Sequence, residues 1–425
     1  MTDLAPRPGG WGSYSSPAPA PDRPAQHHPE AVSFAAGRPF EGFLDPGLTE
    51  QYLRSYRRRL ADRLADASAV RLSVPQYGRA MGIIHELVAE HLWADEGIAV
   101  DPDAVVVTAG CQEARYLTLR ALRRTDRDVL LAVAPSYRGL DAAARLAELR
   151  VLPVRDAAAG LDLADLVAQV RRARAEGLRP RACYLVPDCV NPAGAVLDGA
   201  ARLELLRLAD EHDFLLIEDS PYELVGDRDG TGPAALKALD GHRRVIHLGS
   251  FARAGAPGAR VGYAVADQCP AEPATGRPEP LAELLRRIKR AVTVDTAPSA
   301  QAVIGGKLLH HNFRLRAARQ GETRARQDNL RLLRQGLTDR FAGTTGIGWQ
   351  IPDGGFLCRL DVPFAAGEEL LAHCARTHRV LWTPVHPFYA GAEPRPQLRL
   401  SVGRLEQEEL LEGLDRLAEF VHAQL

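Results

Sequence analysis

Seven short runs, apolar along most of their length, set the tightest limit on what this chain can fold into. They are AVVVTAG (104–110), VLLAVAP (129–135), LRVLPV (149–154), ACYLVPD (182–188), FLLIED (214–219), RVIHLGSF (244–251) and ARVGYAVA (259–266). A strand with one face in water alternates polar and apolar residues, whereas a strand covered on both faces does not. Amphipathic segments such as QEARYLTLRALRR, LADLVAQVRRARAEG and GAARLELLRLADEHD separate the runs. Strand and helix in alternation predict an α/β fold on a mostly parallel, doubly covered sheet.

Past about residue 300 the pattern changes. A long arginine-rich helical segment (299–337) leads into the short strand signals GIGWQIP, GGFLCRLDV, RVLWTP and QLRLSV and a last helix, EQEELLEGLDRLAEFVHAQ, which together read as a smaller α+β domain. Residues 1–30 are rich in Pro, Ala, Gly and Ser and carry few large apolar side chains, so they read as a disordered tail. The expected division is that tail, an N-terminal segment over 31–75 packing on the small domain, a large ligand-binding domain over 76–300 and the small domain over 301–425.

Charge and composition remove several classes of function. Lys plus Arg is 53 against 54 for Asp plus Glu, a formal net charge of −1, which gives no electrostatic footprint for nucleic acid or an anionic membrane. No run of eighteen apolar residues exists, and residues 1–30 hold no apolar stretch of signal-peptide length, so a cytoplasmic location is expected. The six cysteines lie far apart with no C-x-x-C pair, which argues against a disulfide framework and a zinc site, and no metal is expected. Only three of the 53 basic residues are lysines, Lys237, Lys289 and Lys307. A nicotinamide site would need G-x-G-x-x-G at a strand–helix turn, and GAPGARVG lacks that spacing. The first 45 residues are too short and too Pro-rich for a DNA-binding winged helix.

In open α/β sheets ligands collect beyond the carboxyl ends of the strands, so the residues after each run carry the functional information. AVVVTAG leads into Cys111-Gln112 and a helix, a glycine turn that offers backbone N–H groups and a favourable dipole to a phosphate. VLLAVAP leads into Ser136-Tyr137-Arg138-Gly139, where Tyr137 can stack on a flat ring or pack internally. ACYLVPD leads into CVNPAG, whose turn signals hold the Asn191 amide where it can donate to a ligand oxygen. FLLIED leads into Ser220-Pro221-Tyr222 and leaves Glu218 and Asp219 at a strand end, where a carboxylate needs a partner. RVIHLGSF runs into ARAGAPGARVGYAVA, with Ser250 and Arg260 placed to hold an anion. Singly, each feature is better explained as structure. Together, in one order along one sheet, they describe a site.

These motifs make the chain resemble, over about residues 45–425, the class I/II aminotransferases, pyridoxal-phosphate (PLP) enzymes of fold type I. The resemblance rests on VVVTAGCQEA, APSYRG, HLGSFARAGAPGARVGY, GGFLCRL, QLRLSV and above all VNPAG (190–194) followed by IEDSPY (217–222). It implies a three-layer sandwich with a smaller α+β C-terminal domain. It further implies that Asp219 pairs with the pyridinium nitrogen and keeps the ring an electron sink. Asn191 and Tyr222 would bond the ring's phenolic oxygen, and Tyr137 would stack on its face. The backbone at Cys111 and Gln112, with Ser250 and Arg260, would grip the phosphate. Arg399 would take a substrate carboxylate, belonging to an amino or keto acid, as a bidentate fork. Tyr77, in VPQYGRAMG, matches a tyrosine presented across a dimer interface, so a homodimer is implied.

At one position the pattern breaks. The family reads Gly-Ser-Phe-Ser-Lys and then Pro-Gly-x-Arg-x-Gly; here Gly249-Ser250-Phe251-Ala252-Arg253 is followed by Pro257-Gly258-Ala259-Arg260-Val261-Gly262 with the spacing intact. Arg253 therefore stands where a lysine would form the Schiff base. A guanidinium stays protonated, with a pKa above about 12, and has no lone pair for attack on an aldehyde or for carrying a proton. Three readings follow. The protein is an enzyme that binds PLP, pyridoxamine phosphate or a PLP–amino-acid adduct non-covalently in specialised biosynthesis, with Arg253 as an electrostatic clamp and Tyr77, His247 or Tyr222 carrying protons. It is a catalytically silent homologue that binds a ligand or partner subunit. Or it is an ordinary aminotransferase bearing a Lys-to-Arg substitution, against which the neighbouring Ala252 speaks.

Overall fold

After a two-residue strand β1 (Val32–Ser33), all seven apolar runs become strands of one sheet in the computed structural model. They are β2 (Val105–Thr108), β3 (Asp128–Ala134), β4 (Arg150–Arg155), β5 (Arg179–Leu185), β6 (Leu215–Ser220), β7 (Val245–Ser250) and β8 (Gly262–Val265). The structure describes residues 27–35, 47–64, 66–157, 160–188, 191–192, 194–220, 232–253, 257–270, 276–351, 355–389 and 393–425, and of Arg253 the backbone alone. Residues 1–26 of the expected tail lie outside these, as does Tyr222.

The strand order is β2-β8-β7-β6-β5-β3-β4. From β7 across to β4 every neighbour is parallel, while β8 runs antiparallel to both β2 and β7. The reason is length. A parallel crossover needs a dozen or more residues and usually a helix. Only residues 251–261 separate β7 from β8, and they form two single 3₁₀ turns, Phe251–Arg253 and Pro257–Ala259.

Both faces of the sheet are covered, as the unbroken apolar runs require. Val106, Leu130, Tyr184, Ile217, Leu248 and Ala264 face one core, and Leu131, Cys183, Leu216 and Val245 the opposite one. Burial of each large aliphatic side chain contributes roughly 1.5–3 kcal/mol. The edge strand β4 is the exception in exposure, and it carries Pro153, which an edge tolerates because no ladder bond is lost to solvent.

The C-terminal part forms a second, antiparallel sheet, β12-β13-β10-β9, from β9 (Gly348–Gln350), β10 (Leu357–Ala366), β12 (Thr383–Pro384) and β13 (Arg395–Ser401). Helices Gln320–Phe341 and Gln407–His422 pack on it. The N-terminal β1 pairs in parallel with β11 (Val380–Leu381), and Phe34 continues the pairing through bonds to Leu381 and Ser401. The following helix, Gly47–Arg63, packs along the Pro298–His310 helix. No helix among the described residues is long and apolar enough to cross a membrane.

The contact between those two helices depends on Gly306. A Cβ there would stand 1.7 Å from the Tyr52 carbonyl oxygen, so no side chain fits without moving a backbone. Gly306→Val is expected to lower the urea midpoint by the equivalent of about 1–3 kcal/mol or more, as overpacking does. Gly321→Ala, at a helical glycine where an added methyl would meet nothing within 4 Å, should leave the midpoint unchanged or raise it.

Candidate active site

The amino end of the Cys111–Leu122 helix, the end of β7 and the start of β8 meet at one corner of the sheet. Thr108 and Ser250 both pair with Gly262 in register, and a Cβ on Gly262 would lie 2.7 Å from the Cys111 amide nitrogen. Gly110, at φ +81, caps the helix without a side chain. The Glu113 carboxylate accepts from the Ala109 N–H at 2.5 Å and the Thr108 hydroxyl donates to the Gly110 carbonyl at 3.0 Å, so the turn before the helix is held from both sides. Arg260 crosses this turn from the β8 side. Its Nη2 lies 2.5 Å from the place a Gly110 Cβ would take, which leaves glycine as the residue that fits there. A guanidinium at a helix amino terminus, where N–H groups and the helix dipole are positive, makes a cradle for an anion such as a phosphate. Ser250 borders it, buried, with its Oγ accepting from the Ala252 N–H at 3.2 Å.

Asp219 lies at the carboxyl end of β6 with no solvent exposure. Such a charge is stable only when paired and hydrogen-bonded, and three donors supply this. Arg115 Nε donates to Oδ2 at 2.5 Å, the Tyr184 hydroxyl donates to the same oxygen, and Cys111 Sγ donates to Oδ1 at 3.1 Å. Burial opposes the charge on Arg115, yet Asp219 holds its pKa well above the usual arginine value. Burial, and then the Asp219 charge, push Tyr184 far above the ordinary phenol range, so it acts as a neutral donor. The Arg115 guanidinium also lies 4.7 Å over the Tyr137 ring and bonds Gln112 Oε1 at 2.7 Å.

The second charged centre joins the two sheets. Arg399, on β13 and 5% exposed, donates through Nη1 to Asn191 Oδ1 at 3.1 Å and through Nη2 to the Ala35 carbonyl at 2.9 Å and Thr383 Oγ1 at 3.0 Å. Arginine only donates, so this bond fixes the amide of Asn191 with its oxygen toward Arg399 and its NH₂ turned the other way. An apolar cavity lined by Val133, Tyr137, Tyr184, Val186, Asn191 and Leu197 opens against these side chains.

The structure therefore brings Cys111, Gln112, Tyr137, Asn191, Asp219, Ser250, Arg260 and Arg399 to the strand ends of one sheet edge and its neighbouring domain. Tyr77 is not among them: its ring is 85% exposed, while the next residue's N–H is bound by Asp295. Arg253 closes the 3₁₀ turn that follows β7, three residues beyond Ser250. His247 is a correction. It pairs in register with Glu218, Leu248 pairs with Asp219, and successive strand residues face opposite ways, so His247 lies on the far side of the sheet from Asp219. There it is fully buried with Nδ1 2.9 Å from Glu218 Oε2, which removes it as a proton carrier for this site.

The lysines are engaged elsewhere. Lys237 bonds Asp240 at 2.9 Å and Asp267 at 2.7 Å. Lys289 bonds Thr296 at 2.9 Å, with Glu113 3.8 Å away. Lys307 lies over the Tyr52 ring, and burial with the nearby Arg319 lowers its pKa to about 8. Two residues of the site, Arg115 and Tyr184, escape a reading of strand ends. The signal for Arg115 was present, since it stands on the buried stripe of its helix beside Ala114 and Thr118, where a charge requires a partner.

The family model for aminotransferase class I and II matches residues 53–417. The chain is 45% identical over 399 residues to (S)-3,5-dihydroxyphenylglycine transaminase of Amycolatopsis orientalis, covering 94% of this chain and 89% of that one. It is 31% identical to 2-aminoadipate transaminase of Thermus thermophilus, covering 76% of each. Among solved structures, the α-aminoadipate aminotransferase LysN of Thermus thermophilus, complexed with N-(5′-phosphopyridoxyl)-L-leucine, matches with a TM-score of 0.77 at 27% identity, covering 96% of this chain and 95% of that one. The kynurenine aminotransferase of Pyrococcus horikoshii matches in fold with a TM-score of 0.78 at 24% identity, covering 93% and 92%. With an anion cradle and a buried carboxylate at the strand ends of such a sheet, and a buried arginine reaching them from the second sheet, the chain belongs to the class I and II aminotransferases and has the type I fold of PLP-dependent enzymes.

Proposed function

We propose that the protein binds PLP, or pyridoxamine phosphate or a PLP–amino-acid adduct, without a covalent tether and acts on an amino-acid-like carboxylate substrate in specialised biosynthesis. One combination carries this reading: arginine stands at position 253 while the residues suited to grip the cofactor remain in place around it. The residues fit the group on two counts. The cradle of Gly110, Cys111, Gln112, Ser250 and Arg260 has the charge for a phosphate, and glycine at 110 is what lets the Arg260 guanidinium lie against the helix amino end, because a Cβ there would collide with it. Asp219 also has capacity left, since a carboxylate offers about four acceptor positions and three donors fill it here.

When bound, PLP supplies an aldehyde for an amine and a ring that accepts electrons. The chain's own groups hold and orient. Asp219 would face the ring nitrogen, Asn191 would give its NH₂ to the phenolic oxygen, a bond the family resemblance also assigns to Tyr222, and half-buried Tyr137 would offer the face of its ring that Arg115 does not cover. Arg399 receives the substrate carboxylate. The positive charge of Arg253 clamps a second anionic group, and it neither attacks the aldehyde nor moves a proton. Tyr222 and Tyr77 remain as proton carriers. The exposed Tyr77 ring suits delivery to a neighbouring subunit, which makes the working unit a homodimer. The 45% identical relative is a dihydroxyphenylglycine transaminase, which supports an amino-acid-like substrate for this chain.

Titration of the wild-type protein with PLP, followed by calorimetry and absorbance, tests this reading. Binding is expected without the visible band of a lysine-bound cofactor, and Arg253→Lys should gain both the band and transamination. If neither form binds, the reading fails and a catalytically silent homologue takes its place. If the wild type transaminates as fast as Arg253→Lys, the role given to position 253 is wrong. A second expectation concerns Arg399. Its replacement by Ala should weaken binding of an amino acid by about 10–100-fold, the equivalent of a charge-assisted hydrogen bond of roughly 1.5–3 kcal/mol, and weaken binding of PLP alone by less, through the Asn191 amide that loses its anchor.

A further inference from the structure

Arg115 is the one charged group in direct contact with Asp219 among the described residues, and nothing in the proposed reaction uses it. The two form a buried pair, 5% and 0% exposed, with Nε on Oδ2 at 2.5 Å. Arg115 is held in place from two further sides, by Gln112 Oε1 at 2.7 Å and by the Tyr137 ring at 4.7 Å. The carboxylate is consequently lopsided. Oδ2 accepts both Arg115 and the Tyr184 hydroxyl, whereas Oδ1 accepts, among the described residues, only the thiol of Cys111, a weak donor. The remaining neighbour, β7, places Leu248 beside Asp219 in register and contributes no charge.

We propose that Arg115 is a positioning residue that acts through Asp219: it directs a bound pyridine nitrogen to Oδ1, and as permanent counter-ion it keeps that nitrogen less basic than a carboxylate on its own would. The inference rests on the cofactor reading above. A lone buried carboxylate favours a proton on an adjacent ring nitrogen, by one to about three pH units for a close opposite charge. A guanidinium fixed on the same carboxylate, unable to lose its own proton, opposes that effect. The nitrogen then faces a neutral ion pair in place of a net negative charge. Tyr184 does not restore the missing charge, because burial and Asp219 keep its hydroxyl protonated.

The probe is 4′-deoxypyridoxine 5′-phosphate, which has no aldehyde and reports ring protonation through its absorbance, independent of activity. Bound to the wild type, its ring nitrogen is expected to titrate within about one pH unit of its value free in solution, and Arg115→Gln should raise the midpoint by about one to three units. A wild-type midpoint more than about one unit above the free value overturns the proposal, as does an Arg115→Gln variant that folds, binds the probe and shows no rise. Should Arg115→Gln fail to fold, the wild-type midpoint alone decides. Absence of binding to the wild type overturns the cofactor reading and this inference with it; binding with the wrong midpoint overturns the inference alone.

Discussion

A carboxylate with no access to water governs how this site is built. Asp219 is stable only because Arg115, Tyr184 and Cys111 reach it, and these come from one helix and one neighbouring strand. The helix must dock with its buried stripe toward β6, and β5 must pair with β6 in the register that sets Tyr184 opposite Ile217. Loss of one partner of such a pair typically costs about 3–5 kcal/mol, since the other charge is left buried and unmatched. The same docking sets the helix amino end beside Gly262 and Arg260, so the cradle and the carboxylate are two ends of one arrangement.

Arg399 plays the corresponding part between the sheets. It reaches from β13 to Asn191 beyond β5 and to the Ala35 carbonyl in the N-terminal segment, and the Ser136 N–H bonds the Phe388 carbonyl nearby. A side chain suited to a substrate carboxylate is thus held rigid by bonds that also join the large sheet, the small sheet and the chain's first described strand. Its geometry is fixed by the chain's own bonds, and such preorganisation favours tight and selective anion binding.

The strands were legible because burial on both faces leaves an unbroken apolar run, and each of the seven runs became a strand. Their directions were less so: β8 is antiparallel because residues 251–261 are too few for a crossover, a constraint of loop length that an apolar pattern does not express. Residues just past strand ends, such as Asn191, Asp219 and Ser250, could be singled out because ligands gather there. His247 was misplaced for a related reason, since the face a strand residue takes depends on parity relative to a neighbour across the sheet, and Glu218 proved to be its partner. Arg115 and Tyr184 lie one layer deeper, inside elements whose residues read as packing. Arg253 stood out by resemblance, through a lysine expected and absent.

The central claim is that the cofactor is held by charge and shape with no amine attached. The direct measurement is borohydride reduction of the protein saturated with PLP, followed by peptide mass spectrometry. The account predicts no phosphopyridoxyl adduct on the wild type and a stable adduct at position 253 of Arg253→Lys. A stoichiometric adduct on Lys237, Lys289 or Lys307 of the wild type would contradict it, because a lysine from elsewhere in the chain would then be doing what the arginine cannot.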